Sequence, residues 1–153
     1  MTAAAVIPGL VGCVSQPVAL NTVGPAPLHH DSFGPEGYLK VFSDTETHVI
    51  GDGPAYYPHT GYNVYDPAGK RVIYVANHLG NMDETPMTVS MPSGQYNVVA
   101  ESSSYGRVTV PVVIRPNRTT IIRLDRSGRP SKDGSTNSLV RLPNGEVVGY
   151  GGS

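Results

Sequence analysis

The chain is poor in several residue types that mark particular classes of protein. Its 153 residues include one cysteine, no tryptophan and two phenylalanines, and only 15% of them are charged. A single cysteine excludes an internal disulfide framework and a zinc site built from several cysteines. The formal net charge of −1, from 11 Lys and Arg against 12 Asp and Glu, excludes a strongly basic surface. Nucleic acid is therefore not an expected partner.

Turn-forming residues are abundant instead. The chain has 18 glycines and 14 prolines, which break helices and build turns, so a helical bundle is excluded. The apolar fraction of 39%, with nine tyrosines, predicts a modest hydrophobic core in a chain long enough to bury one. No cofactor is implied by this composition.

Short apolar runs with period-two alternation follow residue 37, separated by Gly, Pro, Asn and Asp. Seven predicted strands are Tyr38–Phe42, Tyr62–Tyr65, Arg71–Ala76, Met87–Met91, Gln95–Ala100, Val108–Ile114 and Thr119–Leu124. Pro111 cannot donate a ladder hydrogen bond, which predicts an edge strand or a bulge at that point. The pattern favours an all-β fold, a single antiparallel two-sheet sandwich. Asn144-Gly145 between two further apolar runs predicts a C-terminal β-hairpin.

Two turn motifs carry a resemblance to a known family. Tyr65-Asp66-Pro67-Ala68-Gly69-Lys70 precedes one strand, and Met91-Pro92-Ser93-Gly94-Gln95-Tyr96 connects two others. These segments resemble the carboxypeptidase regulatory-like, or transthyretin-like, domains over about residues 37 to 125. The resemblance implies a transthyretin-like or Ig-like sandwich, and it implies no particular activity.

The N-terminus resembles that of small bacterial lipoproteins. Leu10-Val11-Gly12-Cys13 follows a short apolar run and looks like a lipobox. The resemblance implies cleavage before Cys13, lipidation of its thiol and a bacterial cell envelope location, periplasmic or surface-exposed. Several acyl chains hold a protein on a membrane firmly. The alternative is a chance cysteine in an apolar tail.

The predicted organisation has five parts. They are a signal remnant at 1–12, a flexible Pro-rich tether at 13–36, the sandwich at 37–126, a flexible link at 127–138, and a hairpin with a tail at 139–153.

Catalytic signatures are missing from the sequence. It has no nucleophile elbow, phosphate-binding Gly loop, zinc helix motif or calcium loop, so we expect no enzyme. Metal binding depends on the histidines. His29 and His30 are adjacent in the predicted tether and are poor joint ligands. His48, His59 and His78 are weak candidates for a metal site at one end of the sandwich, and exposed loop histidines are the alternative.

Two tyrosines are candidate ligand-binding residues. Tyr56 and Tyr57 lie in the longest predicted loop, where exposed rings would stack on a sugar or a protein. Tyr62 and Tyr74, on neighbouring strands, are predicted to belong to the core.

Three functional hypotheses follow. The first is a non-catalytic, lipid-anchored accessory or interaction domain of a bacterial envelope, whose partners are the membrane, reached through the anchor, and an envelope protein or a polysaccharide. The second is a carbohydrate-binding module that uses Tyr56 and Tyr57. The third is a metal-binding protein that uses the loop histidines.

Overall fold

The computed structural model describes residues 18–25, 35–127 and 138–152. Within these ranges the protein is all-β and contains no α-helix, as its composition predicts. The described strands are Val23–Gly24 (β1), Glu36–Phe42 (β2), His48–Val49 (β3), Ala55–Tyr56 (β4), Tyr62–Tyr65 (β5), Arg71–Val75 (β6), Thr88–Pro92 (β7), Gly94–Ser102 (β8), Gly106–Ile114 (β9), Thr119–Arg123 (β10), Leu139–Arg141 (β11) and Val147–Gly151 (β12). The predicted signal segment 1–12, Cys13 and most of the predicted link 127–138 lie outside the described residues.

The strands form three sheets. A seven-stranded sheet has the order β11-β12-β1-β9-β8-β5-β6, a three-stranded sheet has the order β10-β2-β7, and β3 pairs with β4 alone. Most neighbours are antiparallel, as predicted. Among the described strands two pairs are parallel, β1 with β9 and β10 with β2, and in both the long connection that a parallel pair needs is present.

The two larger sheets contribute to one core. Every second residue of β9 is buried, from Val108 to Ile114, as are Leu39 and Val41 on β2. The buried residues of both sheets belong to a single contact cluster. Tyr62 is 1% exposed and lies in this cluster as predicted, and burial raises the pKa of its phenol. Tyrosine therefore supplies core volume that tryptophan supplies in other proteins.

The turn chemistry places the strands in register. Gly69 adopts a φ of 84°, and its N–H donates to the carbonyl of Asp66 at 3.0 Å. The carboxylate of Asp66 accepts the N–H of Lys70 at 2.9 Å, which closes the β5–β6 connection. Asp66 therefore has a structural role at the turn, since its side chain satisfies the backbone there.

The predicted tether at 13–36 differs from the structure in its middle. Val23 and Gly24 form β1, which pairs with β12 on one side and with Val112 of β9 on the other. Val23 is fully buried. Two residues are too few to show an alternating pattern, so the sequence could not predict this strand. Its position depends on the distant strands with which it pairs. Through β1, the strands β11 and β12 join the seven-stranded sheet.

Pro111 is accommodated without an edge position or a bulge. It lies opposite Asn97 in a β8–β9 ladder that runs without a register shift from Gly94 to Gly106. On its other side β9 has only the short β1 as a neighbour, paired at Val112. The missing N–H therefore disrupts no long ladder, and the prediction of an edge strand or a bulge was wrong.

Candidate functional site

Two long connections meet at one end of the molecule. Residues 43–61 join β2 to β5 and contain β3 and β4, and residues 76–87 join β6 to β7. The N–H of Tyr57 donates to Oε1 of Glu84 at 2.8 Å, which ties the two connections together. Loops of this length carry binding residues in many proteins, so this end is the first candidate site.

A buried asparagine holds both connections to the sheets. The side-chain amide of Asn77 donates to the carbonyl of Val41 at 2.9 Å, to Oγ of Ser43 at 3.0 Å and to the carbonyl of Thr60 at 3.2 Å. Its Oδ1 accepts the N–H of Met87 at 3.2 Å. Asn77 is fully buried and has a φ of 71°, a conformation that asparagine tolerates better than most residues. The side-chain amide of Asn77 therefore has partners at both its nitrogen and its oxygen, whereas the hydroxyl of Thr60 is buried without a hydrogen-bond partner among the described residues.

His59 belongs to the same buried region. It is 6% exposed, and its Nδ1 lies 2.7 Å from the carbonyl oxygen of Ser43. A carbonyl only accepts, so Nδ1 carries the proton and donates it. The ring also packs edge-on against Phe42 at 5.6 Å. The structure assigns His59 a packing and hydrogen-bonding role.

The other two candidate histidines lie elsewhere on the connections. Nε2 of His48 is 3.3 Å from the carboxylate of Glu46, and His78 is half-buried beside Asp83. Among the described ranges, no group of three or more His, Cys, Asp and Glu side chains could hold a metal ion. The structure does not bring His48, His59 and His78 together as a metal site.

Asp83 organises the second connection. Its carboxylate accepts the N–H of Leu79 at 3.1 Å and the N–H of Thr85 at 3.0 Å. These two backbone hydrogen bonds lower the pKa of Asp83, with a smaller contribution from His78. The charged carboxylate therefore keeps this connection folded on itself.

The two candidate tyrosines have different environments. Tyr57 is 49% exposed, and its backbone is fixed by Glu84. Tyr56 is half-buried in β4, opposite His48. Successive side chains of an extended segment point to opposite sides, so one flat ligand cannot stack on both rings.

Apolar side chains are exposed on both connections. Val49, Ile50 and Tyr57 lie on the first, and Leu79 and Met82 lie on the second, where Leu79 is 85% exposed. We call these five residues the apolar loop surface. A cleft of about 450 Å³ opens beside it, between Leu79 and Asp83 on one side and Lys40 on the other. Exposed large apolar residues on two loops that are hydrogen-bonded to each other are candidate interaction residues.

Sequence reasoning missed an exposed tyrosine on the large sheet. Tyr74 was predicted to be core, and it is 58% exposed. Its strand, β6, is an edge of the seven-stranded sheet, and four of its five residues are exposed, with Val75 the buried one. A continuous apolar run such as Val72-Ile73-Tyr74-Val75 usually indicates a buried strand, which is why the prediction was wrong.

Comparison with known families, with curated proteins and with solved structures finds nothing that matches this chain. In the described part of the chain, no helix has the length and the apolar character needed to cross a membrane.

Proposed function

We propose that this chain is a non-catalytic, lipid-anchored interaction domain of a bacterial cell envelope. The observation that carries the proposal is the apolar loop surface, five exposed apolar side chains on two connections that Asn77 and Glu84 hold in place. A preformed apolar surface loses little conformational entropy on binding, so it suits a partner protein with a complementary apolar face.

The fold supports this function as a scaffold. We propose a two-sheet sandwich of the transthyretin-like or Ig-like type, because buried residues of both larger sheets meet in one core. Of the two turns that carry the family resemblance, Asp66–Gly69 connects the paired strands β5 and β6, and Pro92–Gly94 links β7 of the three-stranded sheet to β8 of the seven-stranded sheet. Such scaffolds place binding loops at the ends of the strands.

The anchor position sets the distance of the domain from the membrane. Val23, the first residue of β1, follows Cys13 by ten residues. An extended chain of that length spans at most about 35 Å. A chain lipidated at Cys13 therefore keeps the domain close to the bilayer, within reach of other envelope proteins.

The anchor is tested by intact-mass analysis of the native protein from its own membrane fraction. We expect a chain that begins at Cys13 with added acyl mass, and we expect Cys13→Ala to be released into the soluble fraction because it has no thiol to lipidate. A native protein found soluble, with residues 1–12 attached, would contradict the anchor.

The apolar loop surface is tested separately by photo-crosslinking in envelope preparations. A photoreactive residue at position 79 is expected to capture an envelope protein, because Leu79 is the most exposed apolar residue among those described. The same probe at Asn144, an exposed turn residue at another site, is the matched control. Leu79→Ser should leave the free energy of unfolding within about 0.5 kcal/mol of the native value. Equal capture from positions 79 and 144, or none from either, would overturn this surface as the interaction site.

A further inference from the structure

The face of the seven-stranded sheet that points away from the core has its own chemistry. Along β8 and β9, Val98 and Val110 are buried, and the alternate residues Asn97 and Pro111 lie on the opposite face. Asn63 and Tyr65 of β5 occupy that same face, since Val64 between them is fully buried. This outer face therefore carries a tyrosine, two asparagines and a proline, together with Val99 opposite Asn63 and Thr109 opposite Val99.

The strand register places two tyrosines next to two amides. Tyr74 of β6 lies opposite Asn63 of β5, and Tyr65 of β5 lies opposite Asn97 of β8. Neighbouring strands are about 4.8 Å apart, and side chains on one face of a strand repeat about every 6.8 Å. The rings of Tyr74 and Tyr65 therefore lie on adjacent strands and are offset by one side-chain repeat along the strand direction. Each ring has an asparagine as its cross-strand partner. We call these four residues the tyrosine–amide face.

The ring of Tyr74 is held against the backbone. If Gly61 carried a β-carbon, that atom would lie 2.8 Å from Cζ of Tyr74 and would also collide with its hydroxyl. The absence of a side chain at Gly61 lets the ring pack over the start of β5. Because Tyr74 remains 58% exposed, part of the positioned ring is open to a ligand. A sugar would stack on the exposed part of a ring whose tip already lies against Gly61.

A small depression continues this face on the side of β8. Its volume is about 80 Å³, and its lining includes Gln95, Asn97 and Pro111. Asn97 is also the cross-strand partner of Tyr65, so the depression adjoins the second ring. Two primary amides, each with donors and acceptors, are well suited to sugar hydroxyl groups.

The positive charges of this face are too few for a polyanionic ligand. The nearest charged pair on β8 and β9, Glu101 with Arg107, forms an ion pair of 3.1 Å and so neutralises itself. Arg71, opposite Tyr65, adds one positive charge. A polyphosphate or nucleic acid would need several cations, whereas stacking rings and amides suit a neutral sugar chain.

We propose that the tyrosine–amide face binds a neutral polysaccharide, with Tyr74 and Tyr65 stacking on sugar rings and Asn97 and Gln95 bonding to their hydroxyl groups. The proposal deepens the proposed function, because it rests on the chain being a binding domain, and it names the ligand class. It uses neither Cys13 nor the apolar loop surface. Failure of the crosslinking test and failure of this proposal are therefore distinguishable.

The test is affinity electrophoresis of the full chain through gels that contain hydroxyethylcellulose, galactomannan or glycol chitin. We expect retardation by at least one of the three. We expect Tyr74→Ala to weaken it at least about fivefold, since stacking is worth about 1 kcal/mol. Retardation should persist in about 1 M salt, where the Debye length is only about 3 Å, because no charge pairing is involved.

Two further variants separate this face from the alternatives. Gly61→Ala keeps both tyrosines and displaces the ring of Tyr74, so it should weaken binding while leaving the melting temperature nearly unchanged. Tyr57→Ala is the matched control on the loops and should bind as the native chain does.

Three outcomes would overturn the proposal. They are no retardation by any of the three polysaccharides, retardation that is unchanged in folded Tyr74→Ala and Gly61→Ala, and retardation lost in Tyr57→Ala alone. The last result would place a sugar site on the loops instead.

Discussion

Replacing Asn77 with alanine is expected to lower the free energy of unfolding by about 3 to 5 kcal/mol, because the Val41 carbonyl loses its side-chain donor and the buried Ser43–Thr60 hydrogen bond loses the amide that joins it to β2. The amide of Asn77 is the donor to the Val41 carbonyl, the Ser43 hydroxyl and the Thr60 carbonyl. No water replaces a donor cheaply at a fully buried position. A domain of this size is stable by about 5–15 kcal/mol in total, so the loss is a large fraction. Urea unfolding of the native and variant chains measures it.

Two variants separate the contribution of the hydrogen bonds of Asn77 from that of its left-handed backbone. Asn77→Gly removes the same hydrogen bonds but relaxes the left-handed backbone, so it should be less damaging than alanine by about 1 kcal/mol. Asn117→Ala is the matched control, since Asn117 is exposed and also has a positive φ, 53°. It should cost only about 1 kcal/mol. If Asn77→Ala is no worse than Asn117→Ala, the buried network contributes little and our account of this end of the molecule fails.

Replacing Gly37 with alanine is the second large effect we expect. A β-carbon there would lie 2.9 Å from Cγ2 of Ile114 and 3.0 Å from the carbonyl carbon of Arg115, and it would collide with the Arg115 carbonyl oxygen. The clashing oxygen belongs to the backbone, which cannot rotate away as a side chain can. The strand β2 cannot shift either, because it is the middle strand of its sheet. Overpacking of this kind should destabilise the chain by about 3 kcal/mol, visible as a lower urea midpoint.

Gly80→Ala is the matched control for this substitution. A β-carbon at Gly80 meets no atom within 4 Å, so its stability should change by no more than about 0.5 kcal/mol. A Gly37→Ala chain as stable as Gly80→Ala would mean that β2 and the β9–β10 connection are not in close contact.

The long strands could be predicted from the sequence because their cause is local. All seven predicted runs are strands, and Tyr38–Phe42, for example, lies within the observed Glu36–Phe42. Alternation of apolar and polar residues and the turn at Asp66 are enough to define them. The two-residue strands β1, β3 and β4 could not be predicted, since two residues have no period and their positions depend on partners elsewhere in the chain.

The site was less predictable because burial depends on strand order. Tyr62 and Tyr74 lie on the paired strands β5 and β6, yet Tyr62, opposite Val75, faces the core and Tyr74, opposite Asn63, faces solvent. The burial of the histidines could not be predicted for the same reason, since His59 packs inward against Phe42. The position of Asn77 soon after a predicted strand is compatible with a positive φ, which asparagine tolerates. Its hydrogen bonds could not be predicted, because its three acceptors come from distant segments of the chain.

The strand β1 also constrains the order in which the protein can fold. It pairs with β12 through Val23 and Gly151, which lie near opposite ends of the chain. Contacts of such long sequence separation form late, because a long loop must first be closed. The strand pairs β5–β6 and β8–β9 can form as local hairpins while the C-terminus is still being made. Completion of the seven-stranded sheet must wait until the last residues of β12 are free to join, so a chain truncated before β12 would leave one edge of β1 without its partner.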